Sequence, residues 1–549
     1  MRSLNIAVVD LVTNRPTRAL YSKFMNANLA SIMAQAVAVW CEELGHRVRF
    51  VCYTGAQDIL SEVGDDVDIV FIGAFTRSAQ TAYALSSALR RRGVVTILGG
   101  PHARCYPDDA VLYFDFALGF TDRETIGAVL RDCAPGRKVG DYVSAAGQPR
   151  ELPSARERWK FIAPTLKAAP RMLKVVPMIS SLGCPYQCPF CIDSTVKYQP
   201  LGRDQLADDL RFVEREMPDA VIGWHDPNFG VRFDEYMSTI EAASARRKLR
   251  FLAESSLSLL SEANVRRMAA AGFVALLPGI ESWYGMGFKS KTGASQGMAK
   301  VEQVADHVNM LLEHVPYVQT NFVLGLDEDK GAEPFELTKA FVDRVPGAFP
   351  AYSQRTAFGE ATPENLELQR AGRVLGFPFH FLDNNQVMNV VPKNYQWPEF
   401  YDRLLDLTRY SFTPRAIYRR WGATQRFTSR AVNFVRAVSS EGFGRISHFK
   451  RVRRALDADP AVRRYLDGES KDLPQFYVDK VRSDLGETMW NLLPAGALHH
   501  DPYAFLRKSE PAALAIAGAG GEEDRIEFAA IRTEPMTNMI HTVAAAAKI

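Results

Sequence analysis

The chain has 549 residues, with 66 Lys or Arg and 63 Asp or Glu, so its formal net charge is only +3. This balance gives no electrostatic reason to expect nucleic acid or an anionic membrane as the main partner. No apolar run reaches the ~18 residues of a membrane span, and Asp10 interrupts the apolar start, which predicts a first strand rather than a signal peptide. Seven cysteines, an odd number without an export signal, indicate a reducing, cytoplasmic environment.

The first 135 residues alternate apolar, strand-like runs with helical patterns. Strands are predicted at NIAVVDLV, RVRFVCYT, VDIVFIGAF, VVTILGG and FDFALGF, and helices at ASIMAQAVAVWCEELGH and TAYALSSALRRRG. Continuous apolar strands separated by helices predict an α/β domain with a doubly wound, Rossmann-like parallel sheet over residues 1–135. Loops at the carboxyl ends of such strands form the ligand crevice. These loops are residues 10–28, 73–80 and 99–107.

The rest of the chain divides into a linker, a second α/β domain, a helical region and a tail. Residues 136–173 are rich in Pro and charge and predict a linker. Residues 174–365 predict a partial (β/α)6 barrel of the TIM type, because polar or Gly residues gather where each strand ends. Residues 366–510 predict a mostly helical domain, and residues 511–549 a disordered tail. The barrel strands are predicted at 174–180, 220–226, 249–256, 273–282, 317–326 and 348–358.

The loop after the first barrel strand reads CPYQCPFC and contains Cys184, Cys188 and Cys191. Thiolates are soft ligands that suit zinc or iron–sulfur clusters. Three thiolates do not close a tetrahedral zinc site, and the other four cysteines all precede residue 136. A [4Fe–4S] cube held by three cysteines keeps one iron open for another ligand. An open cluster is therefore the leading hypothesis, with structural zinc or a fortuitous arrangement as the alternatives.

CPYQCPFC resembles the Cys-x3-Cys-x2-Cys signature of the radical S-adenosylmethionine (SAM) superfamily, and this resemblance covers about residues 174–365. It implies that the amine and carboxylate of SAM occupy the open iron. It also implies that an electron from the cluster cleaves SAM to methionine and a 5′-deoxyadenosyl radical, which takes hydrogen from a small-molecule substrate. An electron donor such as flavodoxin or ferredoxin would then be a partner.

The resemblance extends to residues around SAM. Phe190 precedes the last cysteine, where an aromatic of the family packs near adenine. WHDPNFG resembles the Asp-Asp-x-Phe form of the second strand, with His225 in place of the first Asp, and GIES (279–282) matches the fourth strand. The alternatives are a metal-ligating His225, a loop-packing Phe190 and a salt-bridged Glu254. The expected SAM contacts are Phe190, His225, Asp226, Glu254, Glu281, Ser282 and Asn321.

The first domain, most specifically its LGGPHA segment, resembles the cobalamin (B12)-binding domain that precedes the barrel in one radical SAM subfamily. The resemblance implies a corrin face presented to the barrel mouth, with contacts at Thr76, Gly99 and Gly100. Two departures stand out: no Asp-x-His-x-x-Gly motif offers an axial histidine, and LGFTDRE replaces the usual Gly-Glu-Gly-Glu. His102 is assigned to the turn after the fourth strand. Either cobalamin binds without an axial histidine or the domain is a vestigial scaffold.

These observations predict a radical SAM enzyme with a [4Fe–4S] cluster, SAM and, if the first domain is functional, cobalamin. With cobalamin, methyl transfer to an unactivated carbon is the reaction that the resemblance implies. Without it, the radical would drive a cyclisation, rearrangement or oxidation. The competing hypothesis from another class is a zinc-stabilised binding protein without catalysis. No cysteine follows Cys191, which argues against auxiliary clusters.

Overall fold

The computed structural model describes residues 3–17, 30–133, 140–169, 174–243 and 249–510. One compact unit spans Met1–Phe505, and a second, short unit spans Leu506–Ile549. The predicted disordered tail, 511–549, lies outside the described residues, as does most of the loop after the first strand. No helix in the described part of the chain has both the length and the apolar composition that crossing a membrane requires.

The first domain contains a six-stranded sheet in the order β2-β1-β3-β4-β5-β6, with every pair of neighbours parallel. β-Branched and aromatic residues fill its strands, as such residues suit a pleated, buried surface. Its strands are β1 (Asn5–Leu11), β2 (Arg47–Tyr53), β3 (Ile69–Gly73), β4 (Val95–Gly99), β5 (Phe116–Leu118) and β6 (Asp141–Val143). Its helices are Ile32–Glu43, Ile59–Val63, Ala79–Arg90, Pro101–Cys105, Pro107–Tyr113 and Arg123–Asp132, with a 3-10 turn at Thr76–Ser78. The predicted doubly wound parallel sheet is confirmed.

The range predicted as a linker, 136–173, contains regular structure. Strand β6 pairs with β5 and so belongs to the first sheet. A helix follows at Ala155–Ala168, and it begins with a capping box in which the side chains of Ser154 and Glu157 each bond the other's backbone N–H. The high Pro and charge content of the segment obscured this helix, although the Ser-x-x-Glu spacing is a recognised start signal.

The second sheet has six strands: β7 (Val175–Met178), β10 (Val221–Trp224), β11 (Arg250–Ser256), β12 (Phe273–Glu281), β13 (Tyr317–Leu324) and β14 (Phe349–Gln354). They lie in the order β14-β13-β12-β11-β10-β7, and every pair of neighbours is parallel. The sheet is open, with β14 and β7 at its two edges, which agrees with a partial barrel. A separate antiparallel pair consists of β8 (Ser181–Leu182) and β9 (Gln199–Pro200). The helices of this domain are Arg203–Glu216, Phe233–Ala243, Glu262–Ala271, Gly287–Ser290, Gly297–His314 and Glu333–Arg344, with a 3-10 turn at Leu257–Leu259.

The two faces of the second sheet differ in burial. Along β13, buried and half-buried residues alternate strictly, as the period of two of a strand requires. Phe322 belongs to the buried set and packs its ring on Phe341 in the helix Glu333–Arg344. Gln319 and Asn321 point to the other face and stay half-buried. The concave face therefore encloses solvent-accessible space above a sheet whose back is covered by helices.

The C-terminal region is helical, as predicted, and it packs on both α/β domains. The ring of Phe379 lies 4.6 Å from that of His102 in the first domain, and Lys339 of the second domain pairs with Asp406. Its helices are Glu364–Arg370, Trp397–Ser411, Pro414–Ala423, Phe427–Val438, Arg445–Ala458, Pro460–Leu466, Gln475–Leu492 and Ala504–Ser509, with a π-helical turn at Ser440–Gly444 and 3-10 turns at Gly359–Ala361 and Phe379–Phe381.

Candidate active site between the two sheets

The cysteine loop leaves the carboxyl end of β7 and is closed at its base by the β8–β9 pair. Gly183 makes the turn into the loop with φ +67°, and a Cβ there would lie 2.5 Å from the carbonyl oxygen of Lys197. Only glycine combines this left-handed backbone with such close contact. Within the loop, the N–H of Cys191 donates to the carbonyl of Cys188 at 3.0 Å. The turn therefore holds the thiols together at the active-site end of the sheet.

All three thiols are free, with Cys188 buried and the other two half-buried. Burial raises the pKa of each thiol, to about 11 for Cys191. The nearby ammonium of Lys289 acts in the opposite direction on all three thiols and offsets part of this rise. No group of three His, Cys, Asp or Glu side chains in the described ranges is arranged to hold a single metal ion. A [4Fe–4S] cube takes each thiolate on a different iron, so its ligands do not have to meet at one point. The donor set and the adjacent cation fit such a cluster.

Lys289 is held against the loop by Glu281. Its Nζ donates to Oε1 of Glu281 at 2.7 Å, and both side chains are mostly buried. Although burial opposes it, the carboxylate of Glu281 and the cysteine thiolates keep the pKa of Lys289 above its usual value. Glu281 itself has φ +66°, and a Cβ on Gly279 would lie 2.2 Å from its Oε1. The end of β12 is thus strained and bulged, as strands next to active sites often are.

Ser282 stabilises the turn that follows β12. Its Oγ accepts from the N–H groups of Tyr284 (3.1 Å) and Gly285 (3.3 Å). The carbonyls of Ser282 and Gly285 both accept from Nζ of Lys300 at 2.5 Å. Lys300 is completely buried, and burial lowers its pKa to about 8. Sequence reasoning missed this lysine because it comes from the next helix.

The WHDPNFG segment braces the cysteine loop. Buried Asp226 accepts from the N–H and Oγ of Ser180 at 2.9 and 2.6 Å, and from Oγ of Ser181 at 2.6 Å. Both of its carboxylate oxygens are therefore used within the protein. Burial, followed by the charge of Arg158, lowers the pKa of His225 to about 4, so this imidazole is neutral.

Asn228, in the same segment, contacts the cysteine loop more directly, and sequence reasoning missed it. Its Oδ1 accepts from the N–H of Ser256 at 2.8 Å, and its side chain lies close enough to Cys184 to help lower the pKa of that thiol. Polar groups beside a cluster ligand are one of the ways in which a protein tunes such a centre. The signal was available, because Asn228 stands two positions after Asp226 in the motif.

The remaining predicted SAM residues lie on or near the concave face. Glu254 is accessible to solvent, yet desolvation by the surrounding protein, followed by the charge of Glu281, raises its pKa. It therefore lines a concave space rather than an outer surface. Asn321 sits beside Gly279 in the sheet register and donates to the carbonyl of Pro278 at 3.3 Å. Phe190 is half-buried between two of the cysteines.

The first sheet presents a different kind of edge. Asp10, Gly73 and Gly99 lie side by side at the carboxyl ends of β1, β3 and β4. A Cβ on Gly99 would meet nothing within 4 Å, so open space begins there, and Phe75 is exposed beside it. Thr76 is turned inward, where it lies close enough to Cys105 to help lower the pKa of that thiol. The open space at Gly99 leaves room for a ligand at this glycine-lined edge.

Gly100 and His102 shape the turn that follows this edge. Gly100 has φ +93°, and a Cβ there would lie 2.8 Å from the carbonyl oxygen of Ala74. His102 is completely buried, with Nε2 2.6 Å from the hydroxyl of Tyr83, and burial lowers its pKa to about 3. Its ring is therefore packed between Tyr83 of the first domain and Phe379 of the C-terminal region.

Arg104 connects the edge of the first domain to the cysteine loop. Its Nη2 lies 3.3 Å from the carbonyl oxygen of Ile192 and 3.5 Å from Oδ1 of Asp193. Its guanidinium also lies over the ring of Phe120, in the LGFTDRE segment, at 5.2 Å. The N–H of Asp193 in turn donates to Sγ of Cys191 at 3.4 Å. The two crevices thus meet through a contact that sequence reasoning missed, because Arg104 lies 88 positions before Ile192.

Comparison with curated proteins finds methyltransferases. No protein-family model matches the chain. Bacteriochlorophyllide d C-12(1)-methyltransferase of Chlorobaculum tepidum is 24% identical over 362 residues, which cover 64% of this chain and 76% of the relative. Bacteriochlorophyllide d C-8(2)-methyltransferase of the same organism is 23% identical over 155 residues, or 28% of this chain and 34% of the relative.

Solved structures share the fold over most of the chain. The cobalamin-dependent SAM radical enzyme OxsB with aqua-cobalamin bound has a TM-score of 0.53 at 14% identity, and the match covers 94% of this chain and 85% of OxsB. The radical SAM methyltransferase TsrM of Kitasatospora setae, with tryptophan substrate and a SAM analog bound, has a TM-score of 0.50 at 14% identity and covers 94% and 100%.

The motif, the two-sheet fold and the relatives agree on one class of protein: the chain resembles radical SAM enzymes. More particularly, it has the organisation of the subfamily in which a cobalamin-binding-like domain precedes the barrel. The predicted resemblance is therefore confirmed for both α/β domains.

Proposed function

We propose that this protein is a cobalamin-dependent radical SAM methyltransferase that modifies a carbon atom of a small molecule. The observation that carries the proposal is the meeting of two crevices: three free thiols at the end of the second sheet, and a glycine-lined edge of the first sheet joined to them by Arg104. The named methyltransferase relatives support the reaction type. When bound, the cluster would supply an electron for SAM cleavage, and cobalamin would carry the methyl group.

In this proposal Cys184, Cys188 and Cys191 hold the cluster, and the residues around them divide into two roles. Asp226 fixes the loop through Ser180 and Ser181, and Asn228, bonded to Ser256, lies beside Cys184. Ser282, clamped by Lys300, shapes the turn beside it. These side chains act through the protein, because their polar atoms are already bonded within it.

The second role is to face SAM and the cluster. Glu254, Glu281 and Asn321 lie on the concave face, and Phe190 lies on the loop, so we propose that these four line the SAM site. Lys289 places a positive charge beside the thiolates, which offsets the negative charge of a thiolate-bound cluster. His225, neutral and next to Arg158, is proposed to border the same space.

The proposed cobalamin edge consists of Gly99, Gly100 and Phe75, with Thr76 supporting the turn from behind. Binding there would rely on backbone and shape, since His102 is buried in packing. We also propose a cytosolic enzyme with a flavodoxin- or ferredoxin-type electron donor. No disulfide forms among the described cysteines, which suits a reducing compartment.

The test is anaerobic reconstitution of the full-length protein with iron and sulfide. We expect a brown protein that contains about four irons per chain, retains added hydroxocobalamin through gel filtration, and releases 5′-deoxyadenosine from SAM after reduction with dithionite. A colourless zinc protein that leaves SAM intact would contradict the proposal. SAM cleavage without retention of cobalamin would instead support the cobalamin-independent alternative.

A further inference from the structure

A basic segment of the C-terminal region departs from the neutral balance of the whole chain. Residues 411–440 contain six arginines and no Asp or Glu, whereas the full sequence has a net charge of only +3. The segment folds into the helices Pro414–Ala423 and Phe427–Val438, which we call the arginine hairpin. Such a local concentration of one charge attracts anionic partners whatever the overall charge.

The arginine hairpin also exposes apolar side chains. Of the thirteen large hydrophobic side chains exposed in the described part of the chain, seven lie between residues 418 and 443. Tyr418 is 78% exposed, Phe427 71% and Phe434 45%. Single exposed apolar residues are ordinary, but a concentration of them marks a surface that meets another apolar phase.

The exposed phenylalanines of the hairpin pack against Trp421. Trp421 lies between the two phenylalanines, with ring centroids 6.2 Å from those of both Phe427 and Phe434, edge to face. A cleft of about 570 Å³ at the first helix of the hairpin is lined by Arg415, Arg419, Thr413 and Asp343, among others. Asp343 pairs with Arg419 at 2.7 Å. Arg426 is exposed and forms no ion pair with any carboxylate of the described residues, whereas the exposed Arg415 lies near enough to Asp343 to help lower the pKa of that carboxyl.

Two other arginines point inward and fix the hairpin to the second sheet. Nε of Arg420 donates to the carbonyl of Ala348 at 3.0 Å, just before β14. Arg436 donates to Oε1 of Gln319 in β13 at 2.6 Å and pairs with Glu441. The hairpin is thereby attached near the amino-terminal ends of β13 and β14, opposite the cysteine loop.

We propose that the arginine hairpin is a peripheral membrane-binding surface for anionic phospholipid. The aromatics would enter the boundary between headgroups and acyl chains, and the exposed arginines would bind lipid phosphates. Charge complementarity favours a bilayer over a second copy of the chain. A two-fold dimer through this surface would place arginines against arginines with no unpaired acid in the segment to offset them. The cysteine loop would stay free on the far side of the sheet.

The test is sedimentation of the full-length, cluster-loaded protein with phospholipid vesicles. We expect binding to vesicles with about 30% phosphatidylglycerol, little binding to pure phosphatidylcholine, and a loss of about tenfold or more when salt rises from about 0.1 to 0.5 M. Absence of binding to the anionic vesicles at low salt would overturn the proposal. The proposal would also be overturned if the parent protein formed a stable dimer that bound no vesicles and that the F427S/F434S substitutions dissociated.

Two variants locate the surface. R415E/R426E and F427S/F434S should each lower the vesicle partition coefficient by about tenfold or more. The matched controls, R47E/R91E and L112S, alter exposed residues of the first domain and should bind like the parent. Equal losses in the controls would overturn the assignment. Unchanged iron content and SAM cleavage without vesicles confirm folding, and R415Q/R426Q offers a milder change if a variant is unstable.

Discussion

The carboxyl edges of the two six-stranded sheets meet, but they are built differently. The second sheet presents thiols and charged groups, among them Cys188, Glu254 and the Lys289–Glu281 pair. The first presents glycine backbone and open space at Gly99. In the proposed function, one edge would therefore bind its cofactors through specific donors, and the other through shape. A departure from a sequence motif therefore has different consequences at the two edges. A missing cysteine removes a cluster ligand, whereas a missing axial histidine leaves the glycine-lined crevice in place.

The largest effect is expected at the donor edge. Replacing Cys184, Cys188 and Cys191 with alanine should reduce bound iron and 5′-deoxyadenosine to background, because no other described cysteine lies in this domain. Iron analysis and product chromatography measure this. C133A, which changes a half-buried thiol of the first domain, is the control and should keep its iron. A triple variant that retained iron would show that the cluster lies elsewhere.

Removal of the cation beside the thiols tests whether charge matters at this edge. K289M should lower the rate of SAM cleavage by about tenfold and shift the cluster potential to more negative values, because it removes the positive charge beside a negatively charged cluster. K291M is the matched control, since Lys291 is exposed two positions further on. Equal potentials in K289M and the parent, measured by redox titration, would argue against an electrostatic role.

A bulky side chain at Gly99 tests the shape edge. In G99V the new side chain enters open space, so the unfolding temperature should stay near that of the parent while cobalamin affinity falls about tenfold. G147V, at another glycine with no atom within 4 Å of its Cβ position, is the control. Absorbance titration with hydroxocobalamin measures the affinity. Unchanged binding in G99V would place the corrin away from this edge.

The junction of the two edges is tested at Arg104. R104Q removes the ion pair to Asp193, whose N–H bonds to Cys191. We expect bound iron to remain, but SAM cleavage to fall about threefold, and the cluster spectrum to respond less to added cobalamin. Electron paramagnetic resonance with and without cobalamin compares the two proteins. R77Q, at an exposed arginine of the neighbouring crevice loop, should behave like the parent. If the cluster spectrum of R104Q responded to cobalamin as fully as that of the parent, Arg104 would not couple the two crevices.

The smallest effect concerns stability at the first edge. Burial raises the pKa of Asp10 from 3.8 to about 7. In the pH range between those values the folded state binds a proton that the unfolded state lacks, so stability falls as pH rises and levels off above about pH 7. In D10N this decline should be absent, a difference on the order of a few kcal/mol between pH 5 and pH 8. Urea unfolding at both pH values measures it, and parallel pH profiles for parent and variant would contradict it.

The sequence by itself determined the alternation of strands and helices and the three-cysteine loop, because both are written in short-range patterns. Strand periodicity, turn glycines and ligand spacing involve residues within about ten positions of each other. The same locality explains what was missed. The helix Ala155–Ala168 was hidden by composition averaged over a longer segment, and β14 ends at Gln354, four residues before the predicted end.

The tertiary structure alone decided which partners each candidate site residue has. Asp226 reads as a SAM ligand in the motif but bonds Ser180 and Ser181, 46 and 45 positions away. Arg104 reaches the cysteine loop across 88 positions. Similarly, Arg420 is buried while Arg415 is exposed, although both belong to one basic helix. These outcomes depend on packing between distant elements, which sets burial, charge pairing and the partners of polar atoms, and no local pattern encodes that packing.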